Sequence, residues 1–457
     1  MYPCFAWESG SACGYRSHSY SRFYQILLRI RLTNITHMEK TVRFYSFGCK
    51  ANQYDTQDMR EKLTLNGYRE VGHLKRAHIC LINTCTVTHK ADSEAFKLIT
   101  RLKKEDPQTK IIVTGCLAQL DKNKIKDISR SILVVRNQDK ANIQKYLPGK
   151  KKPGLAQKEA ITSFKGHTRA FLKIQDGCNN GCSYCKVPLV RGKSKSKAKG
   201  DIYAEAQSLV AHGFKEIVLT GICLGAYGKD LSGRQNLVGI IEELETIKGL
   251  LRIRLSSLEA SDVTPELIHK LSSSGKLCRH LHIPMQSGDD EILMKMNRKY
   301  NRKQYIDLVK EIKRVVPGIA ITTDVLVGFP GETQAHFDNT IKLVRAIKPL
   351  KVHIFPYSPR EHTKAFHFKP EIHIRTIHAR VAALKKIESQ MSLAFRRRFL
   401  NKQVPVLIES KTSDTSFSWE GYSDNYIKIT TRSNDNLKNK LVFLKITSIN
   451  NNITTAQ

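Results

Sequence analysis

The segment from Ala170 to Gly192 reads AFLKIQDGCNNGCSYCKVPLVRG, and it decides both the fold and the chemistry of this chain. It opens with a predicted strand, Phe171–Ile174, and runs into a loop in which Cys178, Cys182 and Cys185 are spaced C-x3-C-x2-C. Glycine, asparagine and serine fill the loop and permit the tight turns that aim three thiols at one point. The segment therefore predicts a strand followed directly by a metal-binding loop.

Three thiolates in one loop suit either zinc or an iron–sulfur cluster. A structural zinc ion takes four protein ligands, and the sequence offers no fourth cysteine or nearby histidine in register. On a four-iron cluster three ligands leave one iron open, and an open position is what a catalytic metal needs. The spacing favours a catalytic cluster; structural zinc and unligated core cysteines are the alternatives.

Downstream of this loop, apolar strands alternate with segments of helical spacing. Repeated βα units predict a full or partial barrel whose chemistry lies at the carboxyl ends of its strands. The predicted strands are Glu216–Thr220, Leu251–Leu255, Leu281–Pro284, Ala320–Val327 and Lys351–Phe355, and the predicted helices include Ile202–Ala211, Pro265–Leu271 and Arg302–Val315.

Upstream, three more cysteines each follow an apolar strand in an α/β pattern that predicts a parallel sheet. Cys49, Cys85 and Cys116 are expected to converge, because the carboxyl ends of parallel strands meet at one edge of the sheet. Cys80 lies inside its strand and is expected in the core. The predicted strands are Val42–Tyr45, Ile79–Ile82 and Ile111–Val113, with helices over Asp55–Leu65 and Ala91–Lys104.

Composition changes divide the chain into units. Lys150–Gly154 reads as a linker. After Arg398, three predicted strands, Val404–Ile408, Tyr426–Thr430 and Leu441–Ile446, indicate a small, barrel-like β module. The expected units are an extension or mis-assigned start (1–37), an α/β domain with the second cysteine set (38–148), the central barrel (164–395) and the β module (400–457). The fold class is thus α/β with a small β-barrel.

Charge and cysteine content restrict the partners. The chain has 76 Lys and Arg against 41 Asp and Glu, a net charge of +35, which favours a nucleic-acid partner over an anionic membrane surface. No apolar run is long enough to span a membrane. Eleven cysteines, an odd number, without a secretory signal favour reduced thiols, metal ligation and a cytoplasmic location.

The first 37 residues contain four Arg, many Ser and one acid, Glu8. Their longest aliphatic run, Ile26–Leu28, is stopped by Arg29, so they are not a signal peptide. A transit peptide and a mis-assigned start upstream of Met38 are the two readings, with the second favoured.

From Met38 to its end the chain resembles the radical S-adenosylmethionine (SAM) methylthiotransferases. The C-x3-C-x2-C loop after the first barrel strand is the radical SAM signature, and the β module resembles the RNA-binding TRAM domain. Three motifs are similar to the MtaB branch, which acts on N6-threonylcarbamoyladenosine at position 37 of tRNA: Gly48-Cys49-Lys50, Leu219–Gly225 and Phe355–Arg360. Other family motifs are Phe47–Asp55, Asn83–Thr88, Thr114–Gln119, Arg254–Ser257, His280–Gly288, Thr323–Glu332 and Gly421–Ile427.

The resemblance implies two [4Fe-4S] clusters and SAM. Cys178, Cys182 and Cys185 would hold the catalytic cluster that binds and cleaves SAM into a 5′-deoxyadenosyl radical. The second cluster, on the other three cysteines, would deliver or carry the sulfur, and a second SAM would supply the methyl group. The implied reaction places a methylthio group on C2 of the adenine in the tRNA anticodon stem-loop. A flavodoxin or ferredoxin is the expected reductant; the sulfur donor and the oligomeric state stay open.

Polar and glycine residues at predicted strand ends are candidate cofactor contacts, with ordinary loop chemistry as the alternative. Asp324 would orient a ribose or bond its own turn. His280 and His282 are expected to be satisfied core histidines rather than ligands. The candidate contacts are Gly221, Gln286, Ser287, Gly288 and Asp324.

Basic segments are candidate RNA contacts. Lys186–Lys199 holds six basic residues and no acid directly after the cluster loop, which favours phosphate contact over a merely solvated face. Tyr422, Tyr426 and Trp419 offer stacking platforms, or belong to the core. The RNA-binding set is Lys193, Lys195, Lys197, Arg396, Arg397, Arg398 and Tyr426.

The chain departs from the branch pattern at three places. Cys223 stands where the branch has His, Lys193-Ser194-Lys195 replaces an Arg-rich run, and Glu361-His362-Thr363 replaces a Pro-Gly-Thr turn. These affect substrate detail rather than reaction type.

Three other functions compete with this hypothesis. A sister methylthiotransferase would act on isopentenyl-adenosine in tRNA or on a ribosomal-protein aspartate. A non-catalytic RNA-binding protein would use the cysteines for structural metal. A ferredoxin-like electron carrier is disfavoured, because two sets of three cysteines do not complete two four-cysteine cages.

Overall fold

The computed structural model describes residues 40–72, 76–147, 161–233, 235–412, 417–450 and 453–457. The predicted linker Lys150–Gly154 and the segment 1–37 lie outside these residues. None of the described helices is both long enough and apolar enough to cross a bilayer.

The first unit is a five-stranded parallel sheet in the order β2-β1-β3-β4-β5. Its central strand is buried along its whole length, as expected for a strand covered by helices on either side. Cys80 lies in this strand and is buried, as predicted. The elements are β1 Thr41–Ser46, α1 Lys50–Leu65, β2 Arg69–Glu70, β3 Ile79–Thr84, α2 His89–Glu105, β4 Lys110–Gly115, α3 Cys116–Leu120, α4 Lys122–Ile128 and β5 Leu133–Val134, followed by 3-10 turns over Asn137–Tyr146.

The central unit is a partial barrel made of two three-stranded parallel sheets, β10-β9-β6 and β11-β12-β13. A bridge between Ile253 and Leu277 joins the sheets, so β6 and β13 are the two edges of an open barrel. Its elements are β6 Ala170–Lys173, β7 Gln175–Asp176, α5 Val187–Arg191, β8 Lys195–Ser196, α6 Lys199–Ala211, β9 Glu216–Thr220, α7 Leu237–Glu245, β10 Arg252–Leu255, α8 Pro265–Ser273, β11 His280–His282, α9 Asp290–Lys295, α10 Arg302–Val315, β12 Ala320–Val327, α11 Gln334–Ile347, β13 Lys351–Pro356 and α12 Ile374–Arg397.

The third unit is a closed five-stranded barrel in the order β14-β15-β16-β18-β17. Sequence patterns identified three of its strands, and β15 and β18 were missed. The strand predicted from Tyr426 starts two residues later, because Tyr426 has a left-handed backbone (φ 67°). The elements are β14 Gln403–Lys411, β15 Ser418–Ser423, β16 Lys428–Arg432, β17 Leu441–Ile449 and β18 Thr454–Ala456.

This β-barrel closes the end of the central barrel at which the strands begin. Arg252 donates to the carbonyl oxygens of Tyr422 and Pro405, at 3.0 and 2.6 Å, and Arg254 donates to those of Asp424 and Ser423. The predicted fold, a parallel α/β domain, a partial βα barrel and a small β-barrel, is confirmed. Ligands must therefore enter from the carboxyl ends of the strands or through the open side.

Candidate active site between two cysteine sets

The loop that carries Cys178, Cys182 and Cys185 is shaped by Gln175. The Gln175 side-chain amide donates to the Gly177 carbonyl oxygen at 2.8 Å and to Ser194 Oγ at 2.9 Å, so it fastens the start of the loop to the strand that returns from it. Gly177 has φ 70°, and a Cβ there would lie 2.0 Å from the Lys193 carbonyl oxygen. Only glycine fits this close approach.

The three thiols of this loop, which we call the barrel set, lie within electrostatic range of one another. Burial raises the pKa of Cys185 to about 12 although the Val187 amide donates to its sulfur. Burial also raises the pKa of Cys182, opposed by Arg298, whose Nη1 lies 3.3 Å from the Cys182 sulfur. Buried thiols of this kind become thiolates when a metal compensates their charge.

A fourth thiol joins the barrel set in space. The thiol of Cys223, which follows β9, lies beside Cys178, and the interaction between the two thiols lowers the pKa of Cys178 to about 7 and raises that of Cys223. The Cys223 sulfur also lies 3.7 Å from Asp262 Oδ2 and from Asn180 Nδ2. The sequence argument that no fourth cysteine is available is therefore wrong in three dimensions, because the βα barrel brings β9 beside the loop.

Cys49, Cys85 and Cys116, the sheet set, follow β1, β3 and β4 and lie within electrostatic range of one another. Gly48 allows this packing, because a Cβ there would lie 2.5 Å from the Cys85 sulfur. Asn52 fixes two of the loops by donating to the carbonyl oxygens of Phe47 and Thr84, at 2.7 and 3.1 Å. Burial raises the pKa of Cys85 to about 12.

Arg191 connects the two cysteine sets. Its side chain is 1% exposed, donates to Asp176 at 2.9 Å and to Asn52 at 3.1 Å, and interacts with Cys116. Asp176 lies at the base of the barrel-set loop, and Asn52 at the sheet set. One buried guanidinium thus fixes the relative position of the two metal-binding loops.

A buried charge cluster extends this contact. Asp55 pairs with Arg191, Lys140 and Lys173, and Lys173 also pairs with Asp176 at 2.8 Å. Burial alone would raise the pKa of Asp55, but the three cations outweigh it and lower the pKa to about 2. The cluster therefore ties the first unit to the central barrel by charge.

Arg360, the last residue of a branch motif, makes a second link. Its Nη2 donates to the Thr86 carbonyl oxygen and hydroxyl, both at 2.8 Å, and pairs with Asp92 at 2.5 Å. Thr86 directly follows Cys85. Arg360, which follows β13, thus helps to position the loop that carries Cys85.

Three polar side chains meet on the β11–β13 sheet. His282 Nε2 lies 3.2 Å from Asp324 Oδ1, and one ligand atom from each of His282, Asp324 and His353 lies within 4.8 Å of the other two. Thr322 Oγ1 orients His282 and the buried His280. His280 lies in the core as expected, but it is not fully satisfied, because its buried Nδ1 has no hydrogen-bond partner among the described residues, whereas His282 bonds Asp324. Asp324 therefore bonds a neighbouring strand rather than its own turn.

Lys50 lies at the first position of α1, directly after Cys49. It is half-buried, and burial lowers its pKa. Its electrostatic neighbours include Tyr426, Arg169 and Arg254, and it also acts on His353.

The predicted cofactor contacts separate into two groups. Gly221 and Gln286 lie at strand ends; a Cβ at Gly221 would lie 2.9 Å from Gln175 Oε1, and Gln286 has φ 60°. Ser287 is 1% exposed and accepts from the Asp289 amide, and a Cβ at Gly288 would lie 2.5 Å from Thr340 Cα. Ser287 and Gly288 therefore bring α11 close to the loop, which corrects their assignment as ligand contacts.

The predicted RNA contacts also divide. Lys193, Lys195, Arg397 and Arg398 are exposed. Lys197 instead bonds Glu205 and the Tyr54 hydroxyl within the protein, so its charge is already paired.

Arg396 and Tyr426 are corrections to the prediction. Arg396 is 7% exposed and donates to the Asn450 carbonyl oxygen at 2.9 Å, so it fastens α12 to the β-barrel. Tyr426 stacks on His280 and Tyr422, with ring centroids at 4.5 and 5.0 Å. Its ring is occupied by the contact between the two barrels and does not offer a stacking face to a base.

Sequence reasoning missed Gln175, Arg191 and Arg298. Gln175 and Arg191 lie within the segment that was quoted for its cysteines, so their position was a usable signal. Arg298 lies 116 residues from Cys182, and no local pattern links them.

Two family descriptions match the chain. The radical SAM superfamily matches residues 172–344, and the "Uncharacterized protein family UPF0004" matches residues 41–136. The first match covers most of the central barrel, and the second covers the parallel sheet with its cysteine set.

Curated relatives match over most of their length. The threonylcarbamoyladenosine tRNA methylthiotransferase MtaB of Bacillus subtilis (strain 168) is 35% identical, covering 89% of this chain and 93% of its own. That of Chlamydia pneumoniae is 36% identical, covering 85% and 91%. The tRNA-2-methylthio-N(6)-dimethylallyladenosine synthase of Pelotomaculum thermopropionicum is 34% identical, covering 81% and 87%.

Among solved structures, the radical S-adenosylmethionine methyltransferase TsrM from Kitasatospora setae, with cobalamin and a [4Fe-4S] cluster bound, has a TM-score of 0.51. The alignment covers 72% of this chain and 77% of that one, at 12% identity. This likeness is one of fold.

Proposed function

This chain belongs to the family of tRNA methylthiotransferases, and we propose that it attaches a methylthio group to C2 of N6-threonylcarbamoyladenosine at position 37 of tRNA. The observation that carries the proposal is the pair of cysteine sets, each gathered at strand ends and joined by Arg191. The relatives named for threonylcarbamoyladenosine support this substrate over the isopentenyl one.

The residues present fit two iron–sulfur clusters. Each set offers three soft thiol ligands, and Gly48 and Gly177 allow the close packing of the loops that carry them. Cys178, Cys182 and Cys185 would hold the cluster that binds SAM, and the sheet set would hold the second. When bound, the clusters and SAM supply reductive cleavage, a sulfur atom and a methyl group.

The chain itself positions these groups and shields them from water. Arg298 directs a donor at the Cys182 sulfur, and Gln175 holds the loop that carries it. The β-barrel closes one end of the central barrel, so the reacting base is surrounded by protein on that side. Gly221, Gln286 and Asp324 remain the candidate contacts for SAM.

The substrate RNA would reach this site across basic surfaces. Lys193 and Lys195 are exposed beside the barrel set, and Arg397 and Arg398 are exposed before the β-barrel. On the β-barrel a groove of about 700 Å³ is lined by Lys411, Arg432 and threonines, and by Lys428, which pairs with Glu420 at 2.7 Å. We infer that these cations contact the phosphates of the anticodon stem-loop. A flavodoxin or ferredoxin would supply electrons, in the cytoplasm, where thiols stay reduced.

Iron content and SAM cleavage test the mechanism. Anaerobically reconstituted protein should hold about eight irons per chain and form 5′-deoxyadenosine under reducing conditions. Cys178→Ala should lose about half of the iron and form no 5′-deoxyadenosine. Cys116→Ala should also lose about half and yield no methylthio product. Zinc in place of iron, or a fully loaded protein without cleavage, would support the non-catalytic RNA-binding alternative.

A comparison of two tRNA substrates identifies the base on which the enzyme acts. Loaded enzyme should convert tRNA that carries threonylcarbamoyladenosine and leave isopentenyl-adenosine unchanged, as read by mass spectrometry of the nucleosides. The reverse result would assign the chain to the sister reaction.

A further inference from the structure

Lys50 occupies the open side of the central barrel. The barrel is open between its edge strands β6 and β13, and α1 packs against β6 with Lys50 at its first position. The charge of Lys50 acts on groups at both edges: Arg169, which precedes β6, and His353 on β13. The side chain therefore lies near groups at both edges of the opening.

The Lys50 ammonium lies outside the ion pairs and hydrogen bonds formed within the described part of the chain. Among the described residues, none forms a hydrogen bond or an ion pair with it. The carboxylates near the opening are engaged elsewhere: Glu216 and Glu409 pair with Arg254 and Arg169, and Asp324 bonds His282.

An unpaired, half-buried cation is costly for a folded protein. Burial, the largest effect, and the nearby guanidiniums of Arg169 and Arg254 lower the pKa of Lys50, and the opposing influence of Tyr426 and Cys49 does not make up for them. A protein retains such a charge where an anionic ligand forms an ion pair with it. An anionic group that enters the barrel beside the sheet set would pair with this charge.

We propose that Lys50 binds the carboxylate of the threonyl group on the target adenosine and thereby selects this base over the apolar isopentenyl one. The inference rests on the proposed function and specifies its substrate recognition. The carboxylate of SAM is the other candidate source, but Lys50 adjoins a sheet-set cysteine rather than the barrel set assigned to SAM. A site that leaves a charge unpaired discriminates strongly against a neutral analogue.

Binding of short anticodon stem-loop RNAs to anaerobic, iron-loaded enzyme tests the proposal. The RNAs carry threonylcarbamoyladenosine, its neutral carboxamide analogue, or isopentenyl-adenosine, and fluorescence anisotropy gives each affinity. The enzyme should bind the carboxylate RNA at least about tenfold more tightly than the carboxamide RNA, since a hydrogen bond to a charged group is lost. In Lys50→Gln this ratio should fall to about one, whereas Lys50→Arg should keep part of it.

Lys90→Gln is the matched control, because Lys90 is an exposed lysine of the same unit with its side chain 85% exposed. It should keep the full ratio, and iron content confirms that each variant is folded and loaded. Equal affinity of the unaltered enzyme for carboxylate and carboxamide overturns the proposal without any variant. An unchanged ratio in Lys50→Gln, or a loss of SAM affinity in its place, also overturns it.

The same measurements separate the two proposals. Preference of the unaltered enzyme for the isopentenyl RNA contradicts the proposed function itself. Preference for the threonylcarbamoyl RNA that persists in Lys50→Gln leaves the function standing and refutes only the role of Lys50.

Discussion

Arg298 directs its guanidinium at Cys182: Nη1 lies 3.3 Å from the sulfur, and the same side chain pairs with Glu259. The Arg298 side chain is 3% exposed. The pairing with Glu259 fixes the guanidinium, so a donor and a positive charge are held at one ligand of the barrel set. Both stabilise the more negative, reduced form of a cluster.

Arg298→Met should therefore lower the reduction potential of the barrel-set cluster. We expect a fall on the order of 50 mV, which corresponds to about 1 kcal/mol for one electron. The measurement is a redox titration followed by electron paramagnetic resonance, in a chain whose sheet-set cysteines are replaced so that one cluster remains. Lys299→Met, at an exposed neighbour, should leave the potential unchanged. A potential unaltered in Arg298→Met contradicts the role of this contact.

Cys223→Ser should keep the iron of the barrel set and its SAM cleavage. The reason is that Cys223 lies outside the C-x3-C-x2-C loop assigned to the cluster, and its thiol donates to Asp262 Oδ2 at 3.7 Å. Iron per chain and 5′-deoxyadenosine formation measure this. If Cys223 were a fourth ligand, its loss would release iron or open a coordination site and increase cleavage. Tight zinc binding that disappears in this variant would instead favour a structural zinc site.

Asp55→Asn should destabilise the contact between the first unit and the central barrel. It leaves Lys140, Lys173 and Arg191 without their shared carboxylate, a loss of about 3 kcal/mol for a buried network. Thermal unfolding of the loaded protein should show the lower midpoint. Asp307→Asn, in an exposed pair, should change the free energy of unfolding by less than about 0.5 kcal/mol.

The effect of Asp55 should also depend on pH. Its pKa is about 2 in the folded protein and about 3.9 in an unfolded chain, so the folded state binds the proton less readily. The stabilisation is therefore fully present above about pH 4 and disappears as the pH falls towards 2. The difference in unfolding midpoint between the native chain and Asp55→Asn should shrink over that range. A difference that does not change with pH would mean that Asp55 acts through packing.

Two sets of basic residues should behave differently with tRNA. Lys193→Gln and Lys195→Gln should weaken binding and reduce the salt dependence of log K by about one for each lysine, as expected for exposed phosphate contacts. Arg396→Gln should lower stability instead, because its guanidinium fastens the β-barrel. Affinity titrations at several salt concentrations and thermal unfolding separate these outcomes. A reduced salt slope in Arg396→Gln would restore its predicted RNA role.

The cysteines of the site were predictable because each lies in a local pattern. The C-x3-C-x2-C loop and the three strand-end cysteines are read from spacing and apolar runs, and the structure gathers each set. Predictions of site residues that relied on chemical type alone were less accurate. Ser287 and Gly288 proved to pack against α11, and Arg396 and Tyr426 proved to join the two barrels, because burial depends on neighbours that are remote in sequence.

The sequence by itself determined the fold class, the order of the three units and the two thiol sets, since periodicity and short spacings are local properties of the chain. Only the tertiary structure brought Arg298 to Cys182, Cys223 to Cys178 and Lys50 to the barrel opening. Those contacts arise when closure of the βα barrel and docking of the parallel sheet bring distant segments together. A charge or thiol gains its chemical role from the partners it meets there, and local spacing does not encode them.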